Sequence, residues 1–304
     1  MSRVDVGAYL DRLGLSDPGP PSVESLRRLH MAHVELVPYE NLEIQLGRRT
    51  TIDPLEASER IVRRRRGGYC YHLNGAFSAL LLALGYRVTR HVGGVQRTDR
   101  DSAGASGGHL ALTVRGLPHE TCPRGVWLAD VGLGSALHEP LPLHEGVYRQ
   151  GPFVYRLRSS GAEPDGWRFD HDPRGSFAGM DFRAQPAEIV EFAAMHEYLS
   201  TAPESGFVRV AIAQRRDSAG VDVLRGLVLT RLGPDPARET MLQSRTEWYA
   251  ALSDVFGLPL EDVGAAEREQ LWRRVLAAHK EYEQTDRTDL ADDLDPRQGN
   301  AYSR

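Results

Sequence analysis

The chain has 304 residues, 41% of them hydrophobic and 26% charged, enough for a sizeable core and about two domains. Its formal net charge of -5 excludes a general attraction to nucleic acid or to an anionic membrane surface. With two cysteines, no C-x-x-C, no apolar signal core and no apolar run long enough to cross a bilayer, neither a disulfide framework, a metal site nor a membrane anchor is expected, and the reducing cytoplasm is the expected location.

Residues 22–37 place Leu26, Leu29, His33, Leu36 and Val37 on one helical face, and Pro38 ends that helix. Asp53-Pro54 with Glu56 supplies an N-cap, a proline at the first helical position and a capping-box partner. The helix it starts is predicted to run toward Arg66 and to end at Gly67-Gly68. A third begins near Cys70 and stops before Gly85. The pattern then changes to strands, predicted at Tyr86–Val95, His109–Val114, Trp127–Val131, 152–158, 167–170, 206–215 and 221–230. Between the first two, residues 96–108 (Q-R-T-D-R-D-S-A-G-A-S-G-G) read as a polar, flexible loop. The segment 241–282 returns to helix, with Leu271, Trp272, Val275, Leu276 and His279 on one face. Residues 285–304 lack apolar content and read as a mobile tail. Helices, then strands, then a mixture is the order of an α+β protein.

The most informative segment is R-R-R-R-G-G-Y-C at residues 63–70. A thiol at a helix N-terminus meets unpaired N–H groups and the positive end of the macrodipole. Arg63–Arg66 add positive potential, and both effects favour the thiolate, which is the nucleophilic form. The alternative is a small buried cysteine that packs like an apolar residue. A cysteine nucleophile works with an imidazole that takes its proton and a third group that orients the imidazole. Of the eleven histidines, His109 opens a strand directly after a Gly-rich loop, a place where a side chain faces a cleft. His72 lies two residues from Cys70 on the same helix, so the two do not face each other. His30 and His33 fit helix packing, and His119, His138 and His144 fall in irregular stretches. Asp130, in W-L-A-D-V-G-L-G, is a carboxylate in an apolar strand, costly there unless paired. It reads either as the orienting group or as a cap on the glycine turn that follows.

R-R-R-R-G-G-Y-C-Y-H-L-N-G-A-F resembles the signature of the arylamine N-acetyltransferase family, which includes natural-product amide synthases. The resemblance extends to H-V-E-L-V-P-Y-E-N-L-E-I at 33–44, H-E-Y-L-S-T-A-P-E-S-G-F-V at 196–208 and L-R-G-L-V-L-T at 224–230. It implies that Cys70 carries the acyl group, with His109 and Asp130 completing a Cys-His-Asp set similar to that of papain and transglutaminase enzymes. It implies a helical domain over 1–85, a β-barrel over 86–195, an α/β lid over 196–284 and a tail over 285–304. It also implies ping-pong transfer, in which acetyl-CoA or another acyl-CoA acylates Cys70 and an aromatic amine or hydrazine then takes the acyl group. No cofactor is permanently bound, and an acyl carrier protein is the other donor the family uses. By the same resemblance Gly108, Tyr198, Thr201 and Ser205 lie near CoA, while Tyr69 and Leu133 line the substrate pocket.

The chain departs from the family pattern at three places. His72 replaces the usual Glu or Gln, Leu133 replaces an aromatic, and Gly107-Gly108 replace bulkier or hydroxyl residues. These departures bear on the acceptor and imply a wider pocket. The alternatives are an amide synthase that uses a carrier-bound acyl chain, a Cys-His-Asp hydrolase, and an inactive binding protein of the same fold.

Overall fold

Eight antiparallel strands between Arg87 and Phe182 form one sheet that nearly closes on itself. Their spatial order is Leu141–Pro142, Val126–Leu128, His109–Arg115, Arg87–Gln96, Gly179–Phe182, Trp167–Asp170, Phe153–Ser159 and Gly146–Gln150. The two edge strands are neighbours in the chain, so a short connection folds one edge back toward the other and the sheet becomes barrel-like. Phe153, Tyr155 and Leu157 alternate inward along one strand and meet Leu128, Phe169 and Met180 in the barrel core. The structure, a computed structural model, describes residues 4–98 and 100–293.

The helical part starts where local chemistry says it should. The Ser22 hydroxyl accepts the Ser25 N–H at 3.1 Å at the head of helix Val23–Leu36. Asp53 accepts the N–H groups of Leu55 and Glu56 at 2.8 and 3.0 Å, and Pro54 is the first residue of helix Pro54–Arg63. That helix stops three residues short of Arg66, because Arg65 takes a left-handed conformation (φ 52°). Helix Cys70–Ala83 runs through the centre of the core. Leu73, Ala76, Phe77, Leu80 and Leu81 are all buried on it, each large side chain contributing about 1.5–3 kcal/mol.

The C-terminal part differs most from the predicted elements. Residues 206–209 form a helical turn, Gly206–Arg209, because Ser205 caps it by accepting the Phe207 N–H; the strand begins only at Ile212 and runs to Asp217. The run at 221–230 is two strands, Gly220–Arg225 and Val228–Leu232, with a turn at Gly226 (φ 57°). The segment 241–282 is two helices, Arg245–Asp254 and Ala265–Asp293. Gly257 (φ 65°) and Pro259 interrupt the pattern between them. Both helices pack on the second sheet around Trp248, Leu252, Phe256, Leu271 and Val275. The tail expected from 285 continues that last helix to Asp293, and 294–304 lie outside the described residues. Trp127–Val131 shortens to Val126–Leu128, which leaves Asp130 just beyond the strand end.

The second sheet has five strands and draws its first, Tyr39–Glu40, from the N-terminal part. Tyr39 and Glu40 pair with Gln214 and Ala213, and the Glu40 N–H donates to the Gly68 carbonyl at 2.9 Å. The segment before Cys70 is therefore tied directly to the C-terminal sheet.

Candidate active site

Cys70 is the first residue of its helix, and Tyr69 is the N-cap. The Tyr69 carbonyl accepts from the N–H groups of His72 and Leu73 at 2.9 and 3.0 Å, while its own N–H donates to Nδ1 of His72 at 3.3 Å. Gly68 makes the corner before it with φ 143°, a conformation that side chains other than glycine rarely adopt. The thiol is 3% exposed, and its Sγ makes a long contact (3.8 Å) with the Gly108 carbonyl.

His109 and Asp130 come from neighbouring strands. His109 opens His109–Arg115, and Asp130 follows Val126–Leu128, which pairs with Thr113–Arg115. The Ala129 N–H extends that pairing to the Leu112 carbonyl at 2.9 Å. Nε2 of His109 lies 2.7 Å from Oδ2 of Asp130, and both residues are at most 2% exposed. Burial opposes charge on this imidazole. The charges of Asp130 and Cys70 and hydrogen bonds to both side chains overcome that and raise it from 6.5 to about 10. The ring therefore keeps its proton at neutral pH. With Nε2 committed to Asp130, Nδ1 is the nitrogen left for the sulfur.

Asn74 lies four residues after Cys70, one helical turn on, and locks this set. Its Nδ2 donates to Oδ1 of Asp130 and to the Leu110 carbonyl, each at 2.6 Å. Its Oδ1 accepts the Val131 N–H at 2.9 Å. Oδ1 of Asp130 also accepts the Gly132 N–H at 2.9 Å. Asp130 thus holds the imidazole and caps the glycine turn at once. Gly132 presses on the helix start: a Cβ there would lie 2.8 Å from the Cys70 Cα and 2.7 Å from Nδ2 of Asn74. Asn74 has no role in the reading of Cys70, His109 and Asp130. Its only sequence signal is its place in the motif around Cys70.

The arginine run is not a uniform positive field. Arg66 is fully buried and faces Glu43 at 3.1 Å, Asp262 at 3.5 Å and Glu40 at 3.6 Å. Arg63 pairs with Glu59 at 3.1 Å on the surface. Two of its four charges, Arg63 and Arg66, are therefore matched by carboxylates.

The loop at 96–108 is strapped to the barrel rather than free. Asp181 accepts the Gly104 N–H at 3.2 Å, and Gln96 donates to the Gly104 carbonyl at 3.2 Å. Glu163 accepts the Ala105 N–H at 2.6 Å, Arg183 donates to the Ala105 carbonyl at 3.3 Å, and the two side chains pair at 3.1 Å. The Gly107 carbonyl accepts from the Tyr71 hydroxyl at 2.6 Å. Beyond these straps the loop borders open space. A Cβ at Gly107 would meet nothing within 4 Å, and one at Gly108 only Oγ of Ser106 at 3.4 Å.

The remaining candidates divide. Tyr69 is buried, and its hydroxyl is 2.5 Å from Nδ1 of His196. Leu133, 5% exposed, packs in the barrel core with Ala136, Leu137 and Phe153, and it follows Gly132, which presses on the Cys70 helix start. Tyr198 is exposed on helix Ala193–Thr201. The hydroxyls of Thr201 and Ser205 donate locally, to the carbonyls of Glu197 and Leu199. Of the four residues expected near CoA, only Gly108 bonds to Cys70. Cys122 is buried as well, its thiol on the Val126 carbonyl at 3.1 Å.

A thiol, an imidazole that keeps its proton and an orienting carboxylate, all nearly dry, are the components of nucleophilic acyl chemistry. A family model described as N-acetyltransferase matches residues 22–264. Arylamine N-acetyltransferase 1 of Oryctolagus cuniculus is 30% identical over 251 residues, 75% of this chain and 83% of that protein. The arylamine N-acetyltransferase of Mycolicibacterium smegmatis is 30% identical over 270 residues, 86% of this chain and 94% of that one. Among solved structures, the arylamine N-acetyltransferase of Mycobacterium marinum in complex with CoA superposes with a TM-score of 0.79 at 29% identity, covering 89% of this chain and 98% of that chain. The chain belongs to the arylamine N-acetyltransferase family.

Proposed function

We propose that this protein is an acyl-CoA-dependent N-acyltransferase that carries the acyl group on Cys70 and delivers it to an aromatic amine or hydrazine. The observation that carries this reading is the His109–Asp130 pair at 2.7 Å beside a buried thiol at a helix start. In the first half, the Cys70 sulfur attacks the thioester carbonyl, the bond to the CoA sulfur breaks, and CoA leaves with the proton held by His109. In the second half, the amine attacks the Cys70 thioester and His109, now neutral, takes the proton the nitrogen loses. Asp130 keeps the ring oriented in both halves, and Asn74 keeps Asp130. A dry site favours an amine over water as acceptor. The CoA named in the Mycobacterium marinum complex supports CoA as the donor's carrier.

The open space at Gly107 and Gly108 favours acyl groups or amines larger than acetate and aniline, including an acyl chain delivered by a carrier protein. Intact-mass spectrometry after incubation with a panel of acyl-CoAs tests the reading. The expected result is one acyl adduct on Cys70 that an aromatic amine discharges, absent in Cys70→Ser and His109→Ala. An adduct on Cys122, or none with any acyl-CoA or carrier-bound acyl chain, refutes it.

A further inference from the structure

A cavity of about 10 Å³ lies behind Tyr69 and His72, at the base of the helix that Cys70 begins. Glu40, Glu43, Thr50 and Arg60 line it as well. Five of these side chains each carry a buried polar atom without a hydrogen-bond partner: Oε1 of Glu40, Oε1 of Glu43, Oγ1 of Thr50, Nε of Arg60 and Nε2 of His72. Each such atom left unmet costs about 1–3 kcal/mol. Five around one small space point to an occupant that meets several of them.

Their chemistry selects that occupant. Nδ1 of His72 accepts from the Tyr69 N–H. Burial, with Arg60 and His196, holds the ring neutral, well below its usual range, so Nε2 carries the hydrogen and donates. The Thr51 carbonyl pulls weakly the other way and closes no hydrogen bond to Nε2. Nε of Arg60 donates too. On the other side, Oε2 of Glu40 already accepts the Leu42 N–H at 2.6 Å, which leaves Oε1, 3.6 Å from Nε of Arg66 in an ion pair that closes no hydrogen bond. Oε1 of Glu43 faces Arg66 at 3.1 Å as an ion pair without closing a hydrogen bond. These oxygens only accept, and the Thr50 hydroxyl does either. A halide would satisfy the donors and be repelled by the carboxylates; a cation would do the reverse. The formal charges of Glu40, Glu43, Arg60 and Arg66 cancel, so nothing pulls an ion of either sign inward. Only an amphoteric guest meets both halves, and a space of this size holds one water. A surface groove of about 380 Å³ shares Glu43, Thr50 and Arg60 with the cavity and gives such a guest a way in.

We propose that one ordered water molecule occupies this cavity and helps to mount the nucleophile. It links Glu40 and Glu43 to His72, and through His72 to the N–H of Tyr69, the residue before Cys70. His72 then has a positioning role that explains a histidine at this place: it donates into the cavity while accepting from the N-cap.

A high-resolution crystal structure of the full chain tests the site, with further crystals soaked in bromide and in rubidium. One water peak is expected, within about 2.7–3.2 Å of a carboxylate oxygen and of Nε of Arg60 or Nε2 of His72. An anomalous peak in the cavity from either ion, or side chains paired directly with no density between them, overturns the proposal. The mounting role rests on the reading of Cys70 as nucleophile, which the crystallographic result does not need. It is tested by the single-turnover acylation rate. His72→Phe removes both the Nε2 donor and the Nδ1 acceptor of the Tyr69 N–H, breaking the link from cavity to N-cap, and is expected to slow acylation about tenfold with little change in donor KM. His72→Gln keeps a donor and is expected to restore both the water and the rate. A folded His72→Phe that acylates like wild type, or a His72→Gln as slow as His72→Phe, refutes the role. Loss of acylation in wild type would instead count against the assignment of Cys70.

Discussion

Replacing Asp130 by Asn probes the site most sharply, because the structure dictates how the new amide must sit. Oδ1 of Asp130 accepts two donors, Nδ2 of Asn74 at 2.6 Å and the Gly132 N–H at 2.9 Å. In Asp130→Asn the amide oxygen must stay there, so the NH2 group turns toward Nε2 of His109. That nitrogen must then accept, which moves the ring hydrogen to Nδ1, facing the sulfur. A ring in that tautomer cannot take the thiol proton. The variant also removes the carboxylate that, against burial, does most to raise the imidazole from 6.5 to about 10. Without it, burial is opposed by Cys70 alone, and the ring holds its proton less tightly at neutral pH. In serine-protease triads the equivalent change lowers turnover about 10⁴-fold, mainly through the wrong tautomer, and a loss of about 10³–10⁴-fold in the acylation rate is expected here. Stopped-flow single-turnover acylation of Cys70, with circular dichroism to confirm folding, measures it. A folded Asp130→Asn slowed less than roughly tenfold would refute the reasoning and leave Asp130 as a cap of the Gly132 turn.

Because the folded imidazole titrates above its unfolded value, the His109 ion pair stabilises the fold fully below about pH 6.5, and that stability is lost as pH rises through about 10. The unfolding free energies of wild type and Asp130→Asn, measured by urea titration from pH 6 upward, are expected to converge over that window; a gap that stays constant to pH 11 contradicts it. Gly132→Ala forces a Cβ to within 2.8 Å of the Cys70 Cα, and a loss of about 1–3 kcal/mol of stability with at least tenfold slower acylation is expected; normal kinetics would show that the turn relaxes freely. Glu163→Ala cuts the strap on Ala105, so hydrogen exchange at residues 104–108 is expected to rise and acylation to slow about tenfold, with stability changed by about 1 kcal/mol; unchanged exchange would mean that the remaining straps from Asp181, Gln96, Arg183 and Tyr71 hold the loop without it.

The features legible in the sequence are those fixed by a few adjacent residues. Asp53, Pro54 and Glu56 announce a helix start because the cap and its partners lie within one turn. Cys70 at a helix head and Gly85 at its end follow from the same short-range logic. The pairing of His109 with Asp130 does not: their 21-residue separation carries no sign of a 2.7 Å contact, which exists because two strands pair in one register. The loop at 96–108 reads as flexible because the groups that fasten it, Glu163, Asp181 and Arg183, come from 58 or more residues away. The strand expected at 206–215 begins late because the Ser205 cap competes with a strand-like composition. The helical period over 241–282 hides a break because Gly257 and Pro259 occupy only a few positions in it. Leu133 is set on the substrate pocket by resemblance alone, because no local pattern in the sequence says what a buried leucine beside the Gly132 turn packs against.

The pairing of Tyr39–Glu40 with residues 213 and 214 sets an order of events during synthesis. The ribosome releases Cys70, His109 and Asp130 well before Ile212, and long-range strand pairings form only after their partners exist. Until then Glu40, whose N–H donates to the Gly68 carbonyl just ahead of Cys70, has no sheet to hold it. The backbone ahead of Cys70 is therefore fastened to its sheet only after residues 213 and 214 have been made, the first of them 83 residues after Asp130. A fragment that stops before residue 212 carries Cys70, His109 and Asp130 and the barrel strands that join the last two, but lacks the partner strand of Tyr39–Glu40, whose N–H holds the Gly68 carbonyl.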